Sequence, residues 1–193
     1  MATDEVRDAV LDAARAAFHA RGYVGTTMKG VAAAAGVAPT VVRKYYASKD
    51  RLFAAAMRLP FDPASAVPEL LAPGLDGMGE RLVRATFDVL GDEESRQDLI
   101  ALFQAGASAG RAAQSVRDFL EDSLIDRIAA GVGIPDARMR AALISAQLVG
   151  LAVTRYVIKL EPLASAPEEQ VVRLYAPAIQ DLLDPSKPLP GAK

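Results

Sequence analysis

The fold of this chain is decided by residues 26–53, which read TTMKGVAAAAGVAPTVVRKYYASKDRLF. A short helix is predicted to begin near Thr27 and to carry Val31 and four consecutive alanines, whose small side chains let another helix cross at close range. Gly36 can adopt the left-handed conformation in which helices often end, and Pro39 suits the first turn of a second helix. The spacing predicts a helix-turn-helix unit.

The second of these helices has an apolar side and a polar, basic side. Val42 and Tyr46 are four residues apart, so we expect them to face inward together. The other positions lie on the outward side: Thr40, Val41, Arg43, Lys44 and Tyr45. A polar, basic outward face beside a tight turn is typical of a helix that reads DNA.

The net charge of −2 conceals a difference between two parts of the chain. Residues 21–51 contain six basic side chains and one acidic one, a net charge of +5, whereas residues 52–193 have a net charge of −5. A charge cluster alone is typical of a solvated face. Its coincidence with a helix-turn-helix pattern instead favours neutralisation of DNA phosphates.

Several spaced motifs resemble the TetR family of one-component bacterial repressors. They are Gly22-Tyr23, Thr26-Thr27, Gly36-Val37 and the run from Tyr45 to Phe53. The resemblance covers the first quarter of the chain; the remainder matches only in helical character and length. It implies a homodimer that binds double-stranded operator DNA and a variable helical domain that binds a small-molecule effector.

The resemblance also implies roles for single residues. Thr27 and Lys49 would anchor phosphates, and the five outward residues of the second helix would enter or flank the major groove. The chain departs from the family where Ala38-Pro39 replaces a common Ser-Arg, Arg43 takes a usual tyrosine position and Tyr45 a usual histidine position. No asparagine occurs in the chain, so Arg43 is the best candidate for a base contact, to guanine.

The rest of the chain is predicted to be helical, giving an all-α fold with no strand signals. We expect a DNA-binding domain over residues 1–47 and a ligand-binding and dimerisation domain over residues 48–193. A proline- and glycine-rich, irregular connection is expected over 59–79, with at most one turn of helix at Glu69-Leu70-Leu71. The predicted helices are 4–21, 48–59, 80–90, one beginning near Asp92, 110–130, 135–160 and 167–183.

Composition excludes several classes of protein. The chain has no cysteine and a single histidine, His19, so disulfides, thiolate metal sites and histidine-rich metal clusters are excluded. No apolar run approaches the roughly 20 residues that span a bilayer, and the acidic start of the chain is unlike a signal peptide. We therefore expect a cytoplasmic protein without membrane, metal or cofactor.

One sequence motif is typical of an enzyme. Gly106-Ala107-Ser108-Ala109-Gly110 matches the G-x-S-x-G nucleophile elbow of α/β-hydrolases. That chemistry needs a strand before the serine and a histidine after it, yet the segment is predicted helical and His19 precedes Ser108. A junction of small residues between helices is the better interpretation, and we do not expect an enzyme.

The helix after Pro135 presents two apolar stripes. The first consists of small residues that permit close helix approach, and with the last helix it predicts a four-helix dimer interface. Ordinary core packing is the alternative for this stripe. The stripe comprises Ala142, Ala146, Gly150, Val153 and Val157, and the last helix contributes Val171, Tyr175, Ala178 and Leu182.

The second stripe is expected to point into its own subunit and to line an effector pocket. It contains Ile144, Gln147, Leu151, Thr154 and Ile158, two of them polar among aliphatic neighbours. Polar groups in an apolar pocket orient a ligand, although bonding to neighbouring backbone is equally consistent with the pattern. The predicted walls on preceding helices are Phe87, Phe103, Gln104 and Phe119.

These features predict a ligand-responsive repressor that binds a palindromic operator as a homodimer and is released by a small apolar molecule. Effector binding would shift the angle between the two DNA modules through the Ser48–Leu59 helix and so lower operator affinity. The alternative function is an all-α ligand carrier or interaction protein with a vestigial helix-turn-helix.

Overall fold

The computed structural model describes residues 3–59, 61–107 and 110–189. The side chains at positions 3, 99, 102–107 and 111–113 lie outside this description. Within the described residues the chain is helical and contains no strand, which confirms the all-α prediction. The α-helices are α1 Thr3–Arg21, α2 Met28–Ala34, α3 Pro39–Tyr45, α4 Lys49–Ala56, α5 Pro63–Leu71, α6 Met78–Val89, α7 Glu93–Ala107, α8 Arg111–Phe119, α9 Asp126–Val132, α10 Ala137–Ala152 and α11 Glu168–Leu183. Two π-helical turns, Leu120–Ile125 and Val153–Val157, follow α8 and α10.

The chain is divided into two compact units. The first comprises the residues up to Ala64 together with Gln97–Glu121, and the second comprises Ser65–Arg96 with the residues from Asp122 onward. The first unit includes α4, much of α7 and α8, and the domain boundary after residue 47 stays a prediction.

The first unit is built around a cluster of four aromatic rings. Phe53 of α4 lies 4.8 Å from Phe18 of α1, edge to face, and 4.6 Å from Phe119 of α8, stacked, as measured between ring centroids. Tyr23 packs edge-on against both Phe53 and Phe119. Because such pairs add to the free energy gained by burying apolar area, the cluster fixes α1, α4 and α8 together behind the helix-turn-helix.

In the second unit, α6 crosses α11 at very short range. Gly79 faces the backbone of α11: a Cβ at this position would lie 2.5 Å from the carbonyl oxygen of Ala176 and 2.7 Å from the amide nitrogen of Gln180. The Gln180 side chain accepts from the Gly79 amide at 2.9 Å and donates to the Leu75 carbonyl at 3.0 Å. Glycine at position 79 is therefore required by packing rather than by backbone conformation.

A buried arginine closes the end of α11. Arg140 of α10 is 1% exposed, and its guanidinium donates to the carbonyl oxygens of Pro135 at 2.9 Å and Leu182 at 2.7 Å. It also donates to the carbonyls of Asp184 and Lys187. The carbonyls of Leu182, Asp184 and Lys187 lie at or beyond the C-terminal end of α11, where no helical N–H is available to them.

Three elements differ from the sequence-based prediction. The connection predicted to be irregular contains α5, which begins where the Asp62 carboxylate accepts from the Ala64 amide and Pro63 takes the first helical position. The helix predicted over 110–130 is present but includes a π-helical turn. The helix expected to reach Leu160 changes to π-helical geometry after Ala152.

Candidate DNA interface and effector region

The turn between α2 and α3 is set by local capping. The Thr27 hydroxyl accepts from the Gly30 amide at 3.1 Å and caps the start of α2, as expected for threonine at this position. Gly36, with a φ of 67°, ends α2 in the left-handed conformation, and Pro39 occupies the first turn of α3. The helix-turn-helix prediction is confirmed.

The side chains of α3 divide as predicted. Val42 is fully buried and Tyr46 is 6% exposed, while Thr40, Arg43 and Lys44 are exposed. Val41 and Tyr45 are half-buried. Within the described chain Thr40, Arg43 and Lys44 form no hydrogen bond or ion pair, so their polar atoms are available to an external partner.

Thr27 and Lys49, the two predicted phosphate anchors, stand in different surroundings. Thr27 is exposed at the start of α2. Lys49 is half-buried: its ammonium donates to the Tyr23 carbonyl at 3.2 Å and lies 4.1 Å from the centre of the Tyr23 ring. An ammonium has three donors, so Lys49 can hold this loop and still donate to a phosphate.

Buried polar contacts brace the segment that leads into α2. The Thr26 hydroxyl donates to the carbonyls of Ala17, at 3.1 Å, and Gly22, at 2.7 Å, which satisfies acceptors at the end of α1. The Tyr23 hydroxyl donates to the Asp50 carboxylate in the first turn of α4. Thr26 and Thr27 of the sequence motif thus have different tasks, one structural and one at the surface.

The predicted effector residues on α6 and α10 lie in the core of the second unit. Phe87 is 4% exposed and Leu151 is 2% exposed, and both belong to the same buried cluster as Ile144. Ile158 of the same predicted stripe is 62% exposed, because the π-helical turn shifts the register of the residues after Ala152.

The two polar residues of that stripe, Thr154 and Gln147, differ in their hydrogen bonds. The Thr154 hydroxyl donates to the Gly150 carbonyl at 2.6 Å and also approaches the Leu151 carbonyl, so it bonds its own helix. Gln147 is half-buried, and its backbone carbonyl accepts from the Tyr175 hydroxyl at 3.1 Å. Burial raises the pKa of Tyr175, which keeps this hydroxyl a donor at neutral pH.

Of the other predicted pocket walls, Phe119 belongs to the first unit, whereas Phe87 belongs to the second. Phe119 lies in the aromatic cluster of the first unit, because α8 packs on α1 through Phe119 and through Ser115, whose hydroxyl donates to the Phe18 carbonyl. The side chains of Phe103 and Gln104 lie outside the described residues, as does Ser108.

Sequence reasoning missed Arg155 and Tyr156. Both lie on the π-helical turn after α10, and Arg155 is 8% exposed. The Arg155 guanidinium lies 5.3 Å from the Phe87 ring, and the Tyr156 ring is edge-on to Phe87 at 6.5 Å. The sequence feature that could have identified these residues is an arginine in a helix with apolar residues on two faces. A charge in such a position is costly unless it has partners.

Large apolar side chains are exposed along α10, the segment after it and α11. They comprise Met139, Leu143, Val149, Val157, Ile158, Leu160 and Leu174, the last 73% exposed. Of the predicted dimer stripe, Ala146, Gly150, Val157 and Ala178 are exposed, Ala142, Val153, Tyr175 and Leu182 are half-buried, and Val171 is buried in the core. The exposed face thus includes Leu143 and Val149, which the predicted stripe omitted.

Among the described residues, no helix is long and apolar enough to cross a bilayer. The same residues contain no group of three His, Cys, Asp or Glu side chains placed to hold a metal ion.

Two family models match the chain. Residues 10–56 match the model described as "Bacterial regulatory proteins, tetR family", and residues 76–183 match "Tetracyclin repressor-like, C-terminal domain". No curated protein matches the chain significantly.

Solved structures agree with these matches. A TetR-family regulator (SCO0857) from Streptomyces coelicolor A3 is 35% identical, with 93% of this chain and 95% of that one covered and a TM-score of 0.52. NalD of Pseudomonas aeruginosa, described as the secondary repressor of the MexAB-OprM multidrug efflux pump, is 17% identical over 93% and 95%, with a TM-score of 0.51. A putative fatty acid metabolism regulator of Clostridium perfringens, 17% identical over 90% and 97% with a TM-score of 0.52, shares the fold. The chain therefore belongs to the TetR family of bacterial transcriptional regulators.

Proposed function

We propose that this regulator is a cytoplasmic repressor that binds a palindromic operator as a homodimer and is released by a small, largely apolar ligand. The observation that carries the DNA-binding part is the outward side of α3, where Thr40, Arg43 and Lys44 are exposed and lack partners within the described chain. The proposed contact residues are Thr27, Thr40, Val41, Arg43, Lys44, Tyr45 and Lys49.

A mobility-shift titration tests this function. The protein is titrated against duplex DNA from upstream of its own gene and against a scrambled duplex of the same composition, at two salt concentrations. We expect tighter binding to the upstream DNA, and weaker binding to both duplexes at higher salt because phosphate contacts release counterions. Equal, weak binding to both duplexes would instead support the carrier with a vestigial helix-turn-helix.

The dimer is supported by the exposed apolar side chains of α10 and α11. Leu174 at 73% and Met139 at 59% exposure leave large apolar surface in water in a single protomer, and such surface commonly marks a protein interface. A second copy of the chain would cover this face about a two-fold axis, as a palindromic operator requires.

The effector site is proposed in the second unit, near Phe87, Gln147, Leu151 and Thr154. Its support is the apolar character of Phe87 and Leu151, together with half-buried Gln147, whose side-chain amide could orient a ligand. Because Thr154 already bonds its own helix, it contributes shape to the site rather than polarity.

A further inference from the structure

Arg155 is a buried cation with incomplete partners. Two of its guanidinium nitrogens donate to the carbonyl oxygens of Leu163 and of Ala166, the latter at 2.9 Å. Its Nε has no hydrogen-bond partner among the described residues, and no carboxylate there forms an ion pair with it. A buried guanidinium without a counter-charge carries a desolvation cost that an anion would offset.

A second unsatisfied donor lies next to it in the chain. The hydroxyl of Tyr156 is buried and also has no partner among the described residues. The Arg155 guanidinium lies 5.5 Å from the Tyr156 ring, and the Arg96 guanidinium lies 5.1 Å from that ring. Arg96 is held by the carbonyls of Leu90 and Gly91, and it forms an ion pair with the Glu93 carboxylate at 3.3 Å that offsets its charge.

The backbone geometry accounts for the adjacent placement of these groups. Residues 153–157 form a π-helical turn in which the Ile158 amide donates to the Val153 carbonyl at 2.8 Å, five residues back. π-helical turns are rare and occur often at functional sites. This one follows directly from α10, which carries Gln147 and Leu151 of the proposed effector site.

We propose that Arg155 and Tyr156 bind an acidic group, a carboxylate or a phosphate, of an effector whose apolar body contacts Phe87. The inference rests on the proposed effector site and gives its ligand a chemical class: an acidic molecule with an apolar body rather than a neutral apolar one. The Arg155 Nε and the Tyr156 hydroxyl both donate to the acidic oxygens.

Calorimetric titration of the intact protein without DNA tests the proposal. The probes are decanoate, decyl phosphate and decanol, which share one alkyl chain, and 2-naphthoate with 2-naphthol. We expect at least one acid to bind at least ten times more tightly than its neutral partner, and the decanoate and decyl phosphate arms distinguish a carboxylate from a phosphate ligand. If no acid binds, or if the alcohols bind equally well, the proposal is wrong.

Variants separate recognition from folding. Tyr156→Phe removes only a hydroxyl that has no partner among the described residues, so we expect an unchanged or raised melting temperature and about 3- to 10-fold weaker acid binding. Tyr175→Phe is the matched control: its hydroxyl already donates to the Gln147 carbonyl, so its loss lowers the melting temperature but leaves acid affinity unchanged. Arg155→Met should abolish acid binding, whereas Arg173→Met, at an exposed position, should not.

The proposal would be overturned if both single variants, Tyr156→Phe and Arg155→Met, bound acids with unchanged affinity. The mobility-shift experiment is independent of this result. If the protein binds acids but not operator DNA, the proposed repressor function is wrong and the acid site stands. If it binds operator DNA but no acid, only the acid site is wrong.

Discussion

Arg43 and Lys49 carry the same charge, yet their surroundings predict different effects on DNA binding. Arg43 is exposed on α3 without partners in the described chain, so Arg43→Ala should cost about 1–3 kcal/mol on the cognate site and relax its specificity. Lys49→Ala should weaken binding to all duplexes alike. It should also lower by about one the slope of the logarithm of the binding constant against the logarithm of the salt concentration. Mobility shifts with matched and mismatched duplexes measure both effects. If both variants bound DNA as the wild type does, Arg43 and Lys49 would not be contact residues.

Arg140 is the residue with the largest expected effect on stability. Replacing it with methionine keeps the volume but removes the donors that Arg140 supplies to the carbonyls of Leu182, Asp184 and Lys187, so we expect a loss of about 2–4 kcal/mol in the free energy of unfolding. Urea unfolding measures it. Arg173→Met, an exposed position, should change stability by less than about 0.5 kcal/mol.

The burial of single residues could be predicted where helical periodicity determines it. It could not be predicted where it depends on contacts with residues beyond the helix. Val42 and Tyr46 are buried because four residues bring side chains to one helix face, a rule readable from any sequence. The partners of Arg155, by contrast, include carbonyls of residues 163 and 166 beyond the end of its helix. No local pattern in the sequence predicts that contact.

Among the helices, the crossing of α6 and α11 depends on one missing side chain. Gly79→Ala would place a methyl group within 2.7 Å of α11 backbone, so the helices must separate. We expect a destabilisation of about 1–3 kcal/mol despite the better helix propensity of alanine, measured by thermal unfolding. An unchanged or raised melting temperature would contradict the tight crossing.

Gly150 of α10 gives the opposite expectation, because nothing in its own protomer lies within 4 Å of a Cβ at this position. Gly150→Leu should therefore fold normally but weaken the dimer and operator binding together. Circular dichroism checks folding, and analytical ultracentrifugation checks association. Ala130→Leu, an exposed small-to-large change on α9, is the matched control and should remain dimeric. Full dimerisation of the glycine variant would place the interface elsewhere.

Helix starts and ends were predictable from capping residues, and the exceptions have physical causes. Thr27 and Ser48 both cap the helices that the sequence assigned to them. Most of α5 was missed, beyond the single turn allowed at residues 69–71, because Pro68 and the surrounding glycines and prolines favoured a loop, while Asp62-Pro63 formed a valid helix start. The π-helical turns were missed because their stability depends on tertiary contacts rather than on local propensity.

For the whole molecule, the proposed dimer predicts its state in solution. Sedimentation at micromolar concentration should give a species of twice the chain mass of 20.3 kDa, since the exposed face of α10 and α11 would otherwise remain in water. A Leu143→Asp, Leu174→Asp double variant should sediment as a monomer with unchanged helix content. A monomeric wild type at this concentration would contradict the proposal.

The division of the chain into two units could not be predicted from its order. A sequence reading places each helix with its neighbours along the chain, which put Phe119 beside Phe87 as a pocket wall. In the structure Phe119 of α8 packs against Phe53 of α4 and against Tyr23, which follows α1, within the first unit. Such long-range aromatic pairing leaves no periodic trace in the sequence.

Because Arg140 donates to carbonyls beyond the end of α11, mutations that truncate the proline-rich C-terminal segment should lower the stability of the protein. A nonsense mutation at the codon for Asp184 would spare α1 to α11, yet it would take away two of the carbonyls that hold a buried positive charge. Such an allele should behave like a missense mutation in the core and give a low protein abundance. A stop codon immediately after Lys187 would keep those carbonyls, so the allele should remain close to wild type.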